Sequence, residues 1–158
     1  MKIIVVSGTP GTGKTKVAKA LAKLIKADYK DIQSFNKKIF IGYNKELKTK
    51  IVDANKFVIE AIKLIRASKR AKRSLVIDSH LSHYIPKKYV DLCIITKCGI
   101  RKLKSRLHKR HYIKKKIREN LDAEIMDVCM LEAIANKQKI RVVDTTKTFK
   151  TRDLKKLI

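Results

Sequence analysis

The sequence predicts an α/β fold, a parallel sheet with helices on both faces. Three observations lead there. Short β-branched runs alternate with segments whose apolar residues recur at helical spacing. The first run, Ile3-Ile4-Val5-Val6, is apolar without interruption, the pattern of a strand buried on both faces. Three of the five glycines fall in one eight-residue window between that run and the first helical segment. Strands that alternate with helices make crossovers, and crossovers make parallel neighbours.

The elements follow in order. After the glycine window, Val17, Leu21, Leu24 and Ile25 recur at helical spacing among Ala18, Ala20 and Ala22. A short strand is expected near 29–32. Ala54, Phe57, Val58, Ala61, Ile62 and Ile65 mark one helix face, with Asp53 as its N-cap. Leu75-Val76-Ile77 is a strand ending at Asp78, and Leu92-Cys93-Ile94-Ile95 is another ending near Thr96. Ile100, Leu103 and Leu107 carry a helix. Ile113, Ile117, Leu121, Ile125 and Val128 carry one longer helix, and 140–143 is a last strand ending at Asp144. Phe35, Phe40, Tyr43 and Phe57 read as packing residues, and Cys93 and Cys129 as small buried hydrophobes.

The composition sets bounds on function. The chain has 158 residues and 44% hydrophobic content, enough for one domain spanning 1–158 with a real core. No apolar run approaches the roughly 20 residues of a membrane span, and the N-terminal apolar run is too short for a signal sequence. Three cysteines with no C-x-x-C pair support neither a disulfide framework nor a zinc ribbon. A soluble, cytoplasmic protein is expected. Forty Lys and Arg against 14 Asp and Glu give a net charge of +26, which calls for a polyanionic partner.

The glycine window is Gly8-Thr9-Pro10-Gly11-Thr12-Gly13-Lys14-Thr15, a full match to G-x-x-x-x-G-K-[ST]. Glycines let backbone N–H groups turn inward as an anion nest, and the following helix N-terminus adds partial positive charge. Lys14 is placed to reach β and γ phosphates, and the Thr15 hydroxyl to ligate Mg²⁺. Such a site needs a carboxylate at the end of a neighbouring strand to hold water on the metal. Asp78 is the best candidate, or else a helix N-cap or turn residue; Asp144 also ends a strand, but Thr145-Thr146 follow it as in a turn. Beside Asp78, His80 either orients a water, contacts a phosphate, acts as acid or base, or is a buried hydrogen-bonded histidine.

The stretch 97–119 holds eleven Lys and Arg and one acid, Glu119. Arg106 and Arg110, four apart, share a helix face suited to clamping a triphosphate in a closing lid, or else form a solvated basic face. Lys102, Lys104 and Lys114-Lys115-Lys116 suit an RNA backbone, with Tyr112 as a base-stacking residue, or else reflect a lysine bias along the whole chain.

The loop, Asp78-Ser79-His80 followed by Pro86, Arg106-Leu107-x-x-Arg110-x-Tyr112 and Glu119-Asn120-x-x-x-Glu124 occur together in this order. In this the chain resembles, over nearly its whole length, the adenylate kinase isoenzyme six family of P-loop NTPases. The resemblance implies an adenylate-kinase-like five-stranded parallel sheet of order 2-3-1-4-5. It also implies an NMP-binding segment at about 30–52 and a short lid at about 109–119. The implied chemistry is ATP·Mg²⁺ binding, phosphoryl transfer to AMP, and ATPase activity. The implied partners are a small-subunit platform ribosomal protein and rRNA, during ribosome maturation.

By position, Gly11, Thr12, Gly13, Lys14, Thr15 and Lys16 fall on the ATP phosphate loop. Asp78 and His80 fall on the family's Asp-x-His, with Mg²⁺ held by Thr15 and, through water, Asp78. Arg106 and Arg110 fall at the lid, with Arg110 contacting ATP, and the segment Thr145-Thr146-Lys147 falls near the adenine. Three departures stand out. The family's Arg-Gly-Tyr is Arg110-His111-Tyr112, Lys97 replaces a common arginine, and the NMP segment has no arginine, with Lys37 and Lys38 nearby. Lysine lacks arginine's bidentate fork.

Overall fold

The computed structural model describes residues 1–35 and 37–158. Five strands form one parallel sheet: β1 (Ile3–Ser7), β2 (Asp28–Asp31), β5 (Leu75–Asp78), β6 (Leu92–Lys97) and β7 (Ile140–Asp144). Their spatial order is β2-β5-β1-β6-β7, all neighbours parallel, which is 2-3-1-4-5 when only these five are numbered. The remaining strands, β3 (Phe40–Asn44) and β4 (Thr49–Val52), pair separately as an antiparallel hairpin.

The central strand explains the packing. All four side chains of Ile3-Ile4-Val5-Val6 are fully buried, each contributing about 1.5–3 kcal/mol. Strand alternation sends Ile3 and Val5 to one face, where they meet Phe57, Ala61 and Ile65 of α2 (Ala54–Arg70) and Ala133 of α5 (Val128–Ala135). Ile4 and Val6 go to the other face, against Val17, Ala18 and Leu21 of α1 (Lys14–Leu24) and Leu154 of α6 (Thr151–Lys155). Phe35 and Phe57 are buried with ring centroids 4.9 Å apart. Asp53 caps α2 as expected, its carboxylate accepting from the Lys56 N–H at 3.0 Å.

A satellite core lies between α3 (Ile100–Lys109) and α4 (Lys114–Ile125). Leu103, Leu107 and Ile117 are its centre, with Tyr112 and Leu121 against them. Tyr112 also carries the Lys116 ammonium 4.1 Å above its ring, so its face is a cation–π platform rather than a free surface for a base.

The structure differs from the sequence reading in four places. The helix expected to run from Ile113 to Val128 is two helices, because Asp127 takes a left-handed conformation (φ 53°) after α4 ends at Ile125. The strand expected near 29–32 is β2, one residue earlier. The β3–β4 hairpin and α6 carried too little apolar periodicity to be expected. Tyr43 projects outward at 57% exposure rather than packing inside. His111, where the family pattern has glycine, also sits in the left-handed region (φ 55°), a conformation glycine adopts without strain.

Candidate active site

The site lies at the carboxyl ends of β1, β5 and β6, where the chain order reverses across β1. Gly8 (φ 140°) leaves β1 where a Cβ would lie 2.5 Å from the Thr96 hydroxyl. Gly13 (φ 92°) delivers the chain into α1. Between them the loop is braced from below. The Thr12 hydroxyl donates to the Thr9 carbonyl at 2.7 Å and lies 2.7 Å from the Thr96 hydroxyl. Thr12 is fully buried and holds the loop's shape.

Lys14 folds back over this loop, its Nζ donating to the Gly8 and Thr9 carbonyls at 2.8 and 3.0 Å. Desolvation lowers its pKa from 10.5 to about 8, against the opposing pull of Asp78. One turn on, the Thr15 hydroxyl donates to Asp78 Oδ2 at 2.6 Å, and the Tyr29 hydroxyl donates to the same oxygen at 3.0 Å. Burial and that carboxylate raise the Tyr29 pKa. Strand register produces the convergence: β2 and β1 both pair with β5, setting Asp31 and Val6 beside Asp78.

His80 stands just beyond. Burial, aided by the Lys14 charge, lowers its pKa to about 4, so the imidazole is neutral at pH 7. The turn that carries it is tied down by His83, whose Nδ1 lies 2.7 Å from Ser7 Oγ and Nε2 2.9 Å from Glu132. Ser7 Oγ in turn donates to the His80 carbonyl at 3.3 Å.

Six of the expected binding residues line one cavity of about 710 Å³ on the α1 side of the loop: Gly11, Gly13, Lys16, Arg106, Arg110 and Lys147. Lys102, Lys109 and Phe149 share it. Arg106 is half-buried and braces the floor, donating to Thr145 Oγ1 at 2.9 Å and to the Thr145 carbonyl at 2.6 Å. Arg110, exposed at the end of α3, is the outer of the two. A second cavity, of about 360 Å³, lies under the hairpin, with His80, Phe40, Tyr43, Lys48 and Lys50 on its walls. Lys37 lines the adjoining space. So His80 borders the hairpin cavity while the loop borders the larger one.

The structure also brings in Glu124, which the sequence showed only as part of a motif. It is buried on α4, accepting from the Thr9 hydroxyl at 2.6 Å and the Cys98 N–H at 2.9 Å. Lys97 Nζ lies 3.3 Å from Oε1, the oxygen that takes the Cys98 N–H, and also pairs with Asp127. A signal existed: Ile117, Leu121 and Glu124 fall at i, i+4 and i+7, a carboxylate in an apolar stripe. Tyr29 gave no such signal, and Thr145 entered only through the family resemblance, as part of the segment near the adenine.

The donors near Lys14 are hard oxygens, the Thr15 hydroxyl and the Asp78 carboxylate. They fit Mg²⁺ shared with phosphates better than an all-protein metal cage. Among the described residues no cluster of three or more His, Cys, Asp or Glu could hold a metal by itself. No helix described is long and apolar enough to cross a membrane.

Comparison with known proteins supplies the wider context. The AAA domain family matches residues 4–127. The chain is 36% identical over 146 residues to a "Putative adenylate kinase" of Pyrococcus furiosus, covering 91% of this chain and 75% of that protein. It is 37% identical over 145 residues to the "Adenylate kinase isoenzyme 6 homolog" of Saccharomyces cerevisiae, covering 89% and 71%. Among solved structures, a sugar kinase from Janibacter sp. HTCC2649 superposes with TM-score 0.66 at 15% identity, over 98% of this chain and 90% of that one. Shikimate kinase from Acinetobacter baumannii does so with TM-score 0.61 at 15% identity, over 99% and 89%. At that identity these two speak for the fold alone.

Proposed function

The chain belongs to the AAA domain family and to the adenylate kinase isoenzyme 6 family, and from that membership we propose that it is an ATP-dependent nucleoside monophosphate kinase. It converts ATP and AMP to two ADP, and hydrolyses ATP when water replaces the acceptor. The observation that carries this reading is the phosphate loop with Lys14 over it and Thr15 bonded to a strand-end carboxylate at 2.6 Å.

In this reading the larger cavity takes ATP. The loop N–H groups and the α1 N-terminus cradle its phosphates. Lys14 exchanges the Gly8 and Thr9 carbonyls for phosphate oxygens, which restores a full charge to its ammonium. Lys16, Arg106, Arg110 and Lys147 surround the rest of the nucleotide. Thr15 and, through water, Asp78 would hold Mg²⁺, which would supply neutralisation of phosphate charge. An acceptor phosphate oxygen attacks the γ phosphorus as its bond to the β–γ bridging oxygen breaks. Neutral His80, facing the hairpin cavity, orients that acceptor, and in the hydrolytic reaction it takes the proton of the attacking water. The segment 30–52 is the NMP-binding part and 109–119 the lid, with Arg110 closing on the transferring group; position 36 lies outside the described residues.

The family resemblance and the net charge of +26 support a place in small-subunit maturation in the cytoplasm, with a platform ribosomal protein and rRNA as partners. The lack of arginine in 30–52 favours a second reading. There, the loop is a nucleotide switch for a basic RNA- or ribosome-binding assembly factor with little AMP kinase activity.

Phosphoryl transfer from ATP to a panel of monophosphates, with and without the ribosomal partner, tests both. ADP formation that rises with AMP, and falls about 100-fold or more in Lys14→Ala, supports the kinase. Intact ATP binding with no monophosphate stimulation removes the kinase and leaves the switch.

A further inference from the structure

One residue in four of this chain is lysine or arginine, yet positions 119–136 contain neither. At the chain's own composition an eighteen-residue stretch would hold about four or five. This one holds five carboxylates instead: Glu119, Asp122, Glu124, Asp127 and Glu132. It folds as the second half of α4 and the whole of α5.

The same stretch carries four of the eleven large apolar side chains that are exposed among the described residues. Ile125, Met126, Leu131 and Ile134 are 62%, 67%, 58% and 52% exposed. Leu131 and Ile134, three apart, share one face of α5, and Asp127 stands at that helix's N-terminal end. Helix α5 is apolar nearly all round, but Ala133 is its only fully buried residue among those described. An apolar, unpartnered face of this kind on a highly charged molecule marks an interaction surface. Beside it opens a cavity of about 460 Å³ walled by Ile100, Ile125 and the carboxylates of Glu124, Asp127 and Asp144. Lys97, paired with Glu124 and Asp127, lies in that cavity, and Arg118 pairs with Asp122 one turn away. Lys97 and Arg118 pair with three of these carboxylates, and positions 119–136 carry no lysine or arginine of their own to offset the rest.

We propose that the α4–α5 face docks a cationic, amphipathic polypeptide segment of a partner protein. Its apolar side chains sit on Met126, Leu131 and Ile134, and a lysine or arginine enters the carboxylate-walled cavity. Charge selects this occupant. A nucleic acid or acidic protein would meet carboxylates here and prefer the basic remainder of the surface. The proposal stands apart from phosphoryl transfer and does not need it.

The arrangement has its own salt signature. The whole-molecule field repels a cation at long range, while the local surface attracts it at contact. Screening removes the distant repulsion first, since the Debye length falls from about 30 Å at 0.01 M to about 10 Å at 0.1 M. Binding of a cationic segment therefore holds or strengthens over that range, whereas nucleic-acid binding weakens.

The probe is a fluorescein-labelled eighteen-residue Leu/Lys peptide with helical amphipathic spacing, followed by anisotropy with the full chain. A Leu/Glu peptide of the same pattern is the control. Leu131→Gln/Ile134→Gln, at exposed positions, should weaken the Leu/Lys peptide about tenfold or more. It should leave Leu/Glu binding, ATP turnover and Tm unchanged. No Leu/Lys binding at about 100 μM, or equal binding by the double variant, overturns the proposal. A concentration-dependent dimer in sedimentation equilibrium that the same variant abolishes also overturns it, because the surface then serves a second copy of this chain.

Discussion

Lys14 shows how much a single cation can be asked to do before any ligand arrives. Its ammonium is held by two loop carbonyls, and desolvation brings its pKa down to about 8. The unfolded chain titrates this group near 10.5. Below pH 8 both states are protonated and the folded state bears the full cost of desolvating the charge. Between pH 8 and 10.5 the unfolded state holds the extra proton, so this group's contribution to stability rises with pH. Bound triphosphate favours the charged form and moves the pKa back up. At pH 8.5 ATP binding should therefore take up most of one proton, read by calorimetry in buffers of different ionisation enthalpy. Lys14→Met should abolish the uptake, and buffer-independent heats in the parent chain would mean Lys14 is already charged when empty. Lys14, Thr15 and Asp78 were legible because a glycine loop and a strand-end acid have fixed spacing along the chain. Tyr29 and the Ser7–His83–Glu132 chain were not, because strand register and helix packing bring them in from distant positions.

At the scale of elements, α4 joins the region read as a lid to the phosphate loop through one buried carboxylate. Glu124 takes the Thr9 hydroxyl and the Cys98 N–H, so a shift of α4 is felt where Lys14 binds. Glu124→Ala should cost about 3 kcal/mol or more, because Lys97 and two buried donors lose their shared acceptor. Glu124→Gln keeps the shape and should cost less, while weakening ATP binding. A double-mutant cycle of Glu124→Gln with Thr9→Val should give a coupling of about 1 kcal/mol in ATP affinity. Strict additivity would show that Glu124 supports only the helix. The sequence read 113–128 as one helix because apolar spacing continues through the break with no glycine or proline to mark it. Asp127 is left-handed there, as Lys48 is in the β3–β4 turn and Lys26, Lys72 and Lys137 are after helices. In a chain with five glycines, lysine occupies sites where glycine is the usual signal, and the punctuation is lost. The same substitution places His111 beside Arg110. His111→Gly should stabilise the chain by about 1 kcal/mol, seen as a Tm rise of a few degrees. A Tm unchanged or lowered would show that the histidine makes compensating contacts.

For the molecule as a whole, the sheet order follows from which apolar runs need burial on both faces, but the charge does not follow from the fold. Fourteen carboxylates cannot pair forty cations. Pairs such as Lys63–Glu60 and Arg118–Asp122 are exposed and contribute little each. Part of the remaining charge converges on the larger cavity, where Lys16, Lys102, Arg106, Lys109, Arg110 and Lys147 face one space. Cations gathered around one cavity repel one another, and so do those on the rest of the basic surface. The two sources respond differently to what is added. Salt screens both, so raising NaCl from about 0.01 M to 0.2 M should raise Tm by several degrees. ATP acts at the cavity alone, and at low salt it should raise Tm further than an equal ionic strength of NaCl does. Lys14→Ala should lose most of the ATP effect and keep the NaCl effect, because the surface charge is unchanged but for one group. If NaCl leaves Tm flat, the excess charge is too dispersed to strain the fold. A basic character that costs the folded chain nothing would then need no polyanionic partner to account for its stability.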